Sequence, residues 1–199
     1  MLRSSPTGID LYWLPLGAGG HSVRVNGKVF EAVAARLDRR APCDLYHSAL
    51  IVRLPEASFV VEQAPAGKDG ASRGVVARGA VGSRRAGRFR LFRYEVRCWR
   101  DGVIPDVAEA VESPHRLSDD EAVGRLVLEL LPAVPTPTWG RDETGTGEMW
   151  NSNSTVSWVL ARAGLPAETI RLPAGGRAPG WHAGLVEAGR ARSRRHATP

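Results

Sequence analysis

Lysine is almost missing from this chain. Lys28 and Lys68 are the only two, so arginine supplies nearly all of the 27 basic side chains. The formal net charge of +6 would suit a nucleic-acid binder. The composition argues against that partner, because heavy arginine, alanine and glycine with scarce lysine is the imprint of GC-rich coding. Part of the excess also sits at the end of the chain, at Arg190, Arg192, Arg194 and Arg195. Cysteine is equally sparse. Cys43 and Cys98 are too few for a disulfide framework and read as small apolar groups. No apolar run approaches the roughly 20 residues that cross a bilayer. The opening Met1-Leu2-Arg3-Ser4-Ser5-Pro6 lacks the pattern of a secretory signal. A cytoplasmic protein is expected by default.

With 199 residues and 43% hydrophobic content, the chain can bury a core of its own. The expected organisation is one α+β domain over 1–188 and a basic, disordered tail over 189–199. Residues 9–16 form an apolar segment that stops at Gly17-Ala18-Gly19-Gly20. A strand-like stretch, His21 to Val25, precedes the hairpin-turn signal Asn26-Gly27. Val29 to Leu37 fits a return strand or a short helix. Leu45 to Leu54 is β-rich and ends at Pro55, and Ser58 to Gln63 reads as its hairpin partner. A polar loop spans about 66–73. Arg88 to Trp99 reads as a strand whose apolar parity changes near Phe92, which implies a bulge or a break. Ser118 followed by Glu121 is a capping-box pattern, predicting a helix over about 119–131 with Val123, Leu126, Val127 and Leu130 on one stripe. A second helix is predicted over about 153–163, with Val156, Val159, Leu160 and Ala163 apolar, closed by Gly164 and Pro166. Beyond Gly175 the chain reads as loop, anchored by Trp181.

The run Trp150-Asn151-Ser152-Asn153-Ser154 opens that second helix. Free amides and the positive dipole end gather at such a place and would stabilise an oxyanion or an activated nucleophile. Ser152 is the candidate nucleophile. His47, centred in the 45–54 strand, is the candidate base. All four residues from Asn151 to Ser154 are equally good helix caps, and a histidine on an apolar strand is often only a packed core residue.

A strand reading Tyr46-His47-Ser48-Ala49-Leu50-Ile51-Val52, followed about a hundred residues later by Asn151-Ser152-Asn153-Ser154 and Trp158-Val159-Leu160, resembles the circularly permuted papain-like proteins. That group includes NlpC-type peptidases, the lecithin–retinol acyltransferase family and the PPPDE peptidases. The resemblance covers about 45–165. It implies a small antiparallel sheet packed against helices in a permuted papain-like arrangement. It places His47 at the catalytic histidine, Ser152 at the usual cysteine, and Glu62 or Gln63 as the orienting group. Serine at the cysteine position leaves two alternatives. One is a Ser–His hydrolase or acyl transferase acting on an amide, thioester or ester. The other is an inactive domain that keeps the cleft for binding a ligand or a protein.

Trp139, Trp150, Asn151, Asn153 and Trp181 are expected to line a site for a small-molecule or peptide-like substrate. Asp142, Glu143 and Glu148 could orient a base or hold a cation. With no His or Cys beside them, no metal is expected, and no cofactor either. The arginine-rich stretch from Arg73 to Arg100 holds one acid, Glu95, and fits a solvated face better than one that meets phosphate or an acidic partner. Nothing in the sequence sets the oligomeric state.

Overall fold

The structure is a computed structural model, and it describes residues 7–16, 36, 39, 41–66 and 74–196. The glycine break at 17–20, the strand and turn expected over 21–27, most of the 29–37 element, most of the loop at 66–73, and residues 197–199 lie outside the described residues.

The fold is α+β, and the described residues form a seven-stranded sheet with three complete helices. The strands are β1 (Gly8–Pro15), β2 (Asp44–Leu54), β3 (Ala57–Pro65), β4 (Val75–Ala80), β5 (Arg93–Arg100), β6 (Val111–Ser118) and the two-residue β7 (Gly176–Arg177). Six of them pair antiparallel in the order β4-β5-β3-β2-β1-β6, and β7 pairs parallel with the start of β2. The helices are α1 (Glu121–Leu130), α2 (Ser152–Arg162) and α3 (Trp181–His196). None of the described helices is long and apolar enough to cross a membrane.

Strand alternation sorts the side chains onto two faces. The even residues of β2, Tyr46, Leu50, Val52 and Leu54, join Ile9, Leu11 and Trp13 of β1, Val61 of β3, and Tyr94 and Val96 of β5 in the main core. Helices α1 and α2 close that core with Val127, Val156, Val159 and Leu160. The opposite face carries a smaller cluster of Tyr12, Leu14, Ala49, Val60 and Ile104. Polar pairs flank it. Buried Asp10 meets Arg53 and Arg116, and Arg97 bridges Glu62 and Glu95 at 3.2 and 3.0 Å.

The β2–β3 hairpin forms as the sequence predicts. The parity change in the 88–99 segment is a break: a 3-10 turn at Arg90–Phe92 leads into β5, which begins at Arg93. Helix α1 is capped differently from the expectation. Ser118 is the last residue of β6, and Asp120 is the N-cap, accepting from Ala122 N at 2.8 Å. Ser118 Oγ accepts from Asp120 N instead, at 3.1 Å. The helix lies on β2 through Gly124, where an added Cβ would sit 3.2 Å from Leu54. That contact turns Gly124 and Val127 inward and leaves Leu126 exposed. The segment after Gly175 also departs from the loop and tail that its sequence suggests. It is helical from Trp181 to His196, so most of 189–199 continues α3. Helix α3 packs on α2 with almost no spacer, since a Cβ at Gly184 would lie 2.1 Å from both Ser154 O and Ser157 Oγ.

Candidate functional site

The start of α2 is buried and dense with polar contacts. Asn151 is its N-cap, with an extended backbone at φ −160°. Asn151 Oδ1 accepts from Asn153 N at 2.9 Å and from Ser154 N at 3.4 Å. In return Ser154 Oγ accepts from Asn151 N at 3.1 Å, which completes a capping box. The same residues reach outward. Asn151 Nδ2 and Asn153 Nδ2 both donate to Pro179 O, at 2.8 and 2.9 Å. Ser154 Oγ donates to Gly180 O at 2.7 Å, and Ser157 Oγ to Trp181 O at 2.7 Å. Segment 179–181 therefore folds back over the helix start. Asn153 Nδ2 also donates to Tyr46 O at 2.9 Å, while its Oδ1 accepts from Ser48 Oγ at 2.9 Å. Two first-turn amides are thus occupied by a side chain of the same turn. Ser152 is 5% exposed, and among the described residues its hydroxyl makes no hydrogen bond.

His47 does not join this assembly. Its neighbours Tyr46 and Ser48 belong to the helix side of β2, through the core and through Asn153 respectively. His47 points to the other face, where its partner across the β1–β2 ladder is Leu14 of the small cluster. Half-buried there, it has its pKa pushed down by burial to about 4, with Asp106 opposing the shift. The two candidates for the third group are divided in the same way. Gln63 lies on the helix side, where its Oε1 accepts from Thr155 Oγ1 of α2. Glu62 lies on the His47 side, paired with Arg97. The sheet therefore keeps Ser152 and Gln63 on one side and His47 and Glu62 on the other. The arrangement holds no Ser–His pair.

The candidate binding residues are mostly structural. Trp150 is fully buried and Asn153 is 2% exposed. Trp139 forms parallel bridges with Val81 and Trp150 and packs edge-on against Tyr94, with centroids 5.8 Å apart. Trp181 rests on Trp13 with centroids 5.1 Å apart and donates Nε1 to Ala167 O at 3.0 Å. The loop acids have local tasks. Asp142 accepts from Thr146 N and Gly147 N, which hold its carboxyl below the usual range. Glu148 accepts from His182 N at the start of α3. Glu143 takes Arg84 and Thr138, and the Arg84 guanidinium is the main cause that holds its carboxyl down at about 2. Among the described residues no group of three His, Cys, Asp or Glu is placed to hold a metal ion.

A cavity of about 670 Å³ opens elsewhere, between β4, the turn before β5 and the 135–144 loop. Arg78, Arg84, Arg93, Thr138, Glu143 and Glu187 are among its walls, and of the residues singled out in the sequence outside the arginine-rich stretch only Glu143 lines it. Arg84 gives Nε and Nη2 to Glu143 at 3.1 and 2.8 Å. Arg93 gives Nε to Gly87 O and Nη2 to Arg88 O at 2.8 Å. Among the described residues, Nη1 of each arginine makes no hydrogen bond. Among the described residues Arg93 faces no carboxylate within ion-pair distance. The sequence signal for this cleft is the arginine-rich stretch between Arg73 and Arg100. Its far wall, Pro135 to Thr138, gives no signal, because prolines after a helix read as a connection.

No protein-family model, curated protein or solved structure matches this chain.

Proposed function

We propose that the chain is a non-hydrolytic binding domain that takes a small anionic ligand, phosphate- or carboxylate-bearing, in the cleft between β4 and the 135–144 loop. The observation that carries this reading is Arg93. Arg93 is a half-buried residue on the cleft wall, and among the described residues its guanidinium has no opposing carboxylate and keeps a donor edge without a partner. An anion there would gain a charge-assisted hydrogen bond in a partly desolvated setting. Arg84 Nη1 offers a second donor on the same cavity, and Thr138 and Thr144 supply polar wall.

This reading keeps the inactive alternative of the papain-like resemblance and relocates the binding site. The resemblance is supported as far as a β2–β3 hairpin packed beneath α2, with Asn153 fixed to Tyr46 O. Hydrolysis has no such support, since the histidine and the serine face away from one another across the sheet.

Titration of the full chain with pyrophosphate, followed by calorimetry, tests the proposal. Saturable binding is expected, weakened by salt, and reduced by about tenfold or more in Arg93→Gln or Arg84→Gln. An absence of binding, or affinity in both variants equal to that of the wild type, would overturn it. A fluorophosphonate probe separates the hydrolytic alternative. Labelling of the wild type that disappears in Ser152→Ala would restore that alternative.

A further inference from the structure

The turn joining β4 to β5 reads Arg84-Arg85-Ala86-Gly87-Arg88-Phe89-Arg90-Leu91-Phe92-Arg93, five arginines in ten residues without an acid. Two 3-10 turns, Ala86–Arg88 and Arg90–Phe92, shape it, and neither buries a residue. Phe89 is 54% exposed, Leu91 82% and Phe92 44%. A scattered exposed apolar side chain needs no explanation, but a cluster within four residues marks an interaction site. The cluster is held in place. Val81 N donates to Phe92 O at 2.8 Å, Gly87 N donates to Ser83 O at 3.1 Å, and Arg93 ties down Gly87 O and Arg88 O. A Cβ at Gly87 would sit 2.7 Å from the Ala80 side chain, so the turn is seated on the end of β4. Arg88 lies over the Phe89 ring at 4.7 Å. Among the described residues neither Arg85 nor Arg88 has a carboxylate partner, and both are exposed.

We propose that this turn docks on an anionic lipid bilayer. Phe89, Leu91 and Phe92 enter the boundary between headgroups and acyl chains, and Arg85 and Arg88 meet the lipid anions. The pairing of an apolar tip with unneutralised arginines matches such a surface in both its layers. A single-stranded nucleic acid would also meet arginines and aromatic rings, but the most exposed member of the cluster is Leu91. Leucine has no ring on which a base could stack, and its burial is favourable only in an apolar medium. The docking surface does not depend on the occupancy of the cleft behind it.

Sedimentation of the full chain with vesicles of phosphatidylcholine, alone or mixed with phosphatidylserine, tests the proposal. Pelleting is expected with the mixed vesicles only, falling as salt is raised. Leu91→Glu and Arg88→Glu, both at exposed positions, should keep the melting profile of the parent and lower the vesicle affinity about tenfold. Leu91→Glu should bind pyrophosphate as the parent does, which separates this surface from the cleft. No pelleting of the wild type with mixed vesicles would overturn the proposal. Equal pelleting of Leu91→Glu, or binding to an oligonucleotide without binding to vesicles, would overturn it as well.

Discussion

Ser48 Oγ and Asn153 Oδ1 meet at 2.9 Å, 105 positions apart in the chain, and join the second strand to the first turn of the second helix. Because Ser48 faces that helix, His47 beside it must face away. One hydrogen bond thus reports both how α2 is anchored and why the strand histidine is remote from it.

The anchoring makes Asn153 a strong determinant of stability. Its amide satisfies Tyr46 O, Pro179 O and Ser48 Oγ in a buried setting. Asn153→Ala leaves these groups without it and is expected to cost about 2–4 kcal/mol. Ser152→Ala, one residue away, removes a hydroxyl without a partner among the described residues and should change stability by less than about 1 kcal/mol. Urea denaturation of the two variants checks the contrast. Equal losses would contradict the structure.

His47 makes acid stability informative. Its folded pKa is lowered from 6.5 to about 4, so the native state favours the neutral ring. The stabilisation is fully present above the unfolded value and is lost as pH falls through that window, because the unfolded chain binds the proton first. Between about pH 7 and about pH 4.5 this one group should cost the fold about 2 kcal/mol. His47→Leu should flatten that part of the profile while carboxylates continue to contribute below it. Denaturation midpoints across the pH range provide the measurement.

The seam between α2 and α3 should tolerate no added atom at Gly184. A methyl group there would collide with Ser154 O and Ser157 Oγ. Gly184→Ala is expected to destabilise by about 1–3 kcal/mol despite the better helix propensity of alanine. Gly189, with open space around it, serves as the control, since Gly189→Ala should be neutral or stabilising. Thermal melts of the pair give the comparison.

On the far side of the sheet, Arg97 neutralises two carboxylates and donates to Pro65 O. Arg97→Ala removes the buried cation between Glu62 and Glu95, leaving only the exposed Arg78 beside Glu95 at 3.6 Å, and should cost about 3–5 kcal/mol. Arg97→Met, which keeps the stem and removes the charge, should lose about as much in urea denaturation. A loss confined to Arg97→Ala would show that packing of the arginine stem, not its charge, is what matters.

Local physics made the β2–β3 hairpin legible in the sequence. A β-branched run ending at Pro55 and an alternating partner have few other solutions. The α2 helix was legible for the same reason, with Asn151 before it and Gly164 at φ +86° behind it. Strand β6 was not, because Val111 to Ser118 carries Pro114 and lacks alternation, both tolerable at a sheet edge. Helix α3 was hidden by its glycines, of which Gly184 is there for close packing and not to end a helix. At the candidate site the sequence showed a capping run and a strand histidine. Whether they share a face depends on which parity of β2 faces the helices. Both sides of that strand are largely apolar, so its pattern leaves the choice open.

The strand order carries a further consequence. Strand β1, the earliest of the described strands, lies between β2 and β6, and β6 ends at Ser118. Carbonyls of Pro179 and Gly180 are needed to complete the polar contacts at the start of α2. A chain emerging from the ribosome can therefore form the β2–β3 hairpin early, but it must leave one flank of β1 unpaired until residue 118 appears. It must also leave Asn151 Nδ2 and Ser154 Oγ without those carbonyls until about residue 180. Folding of this domain should therefore be a concerted event that waits for residue 180, governed by contacts between distant segments.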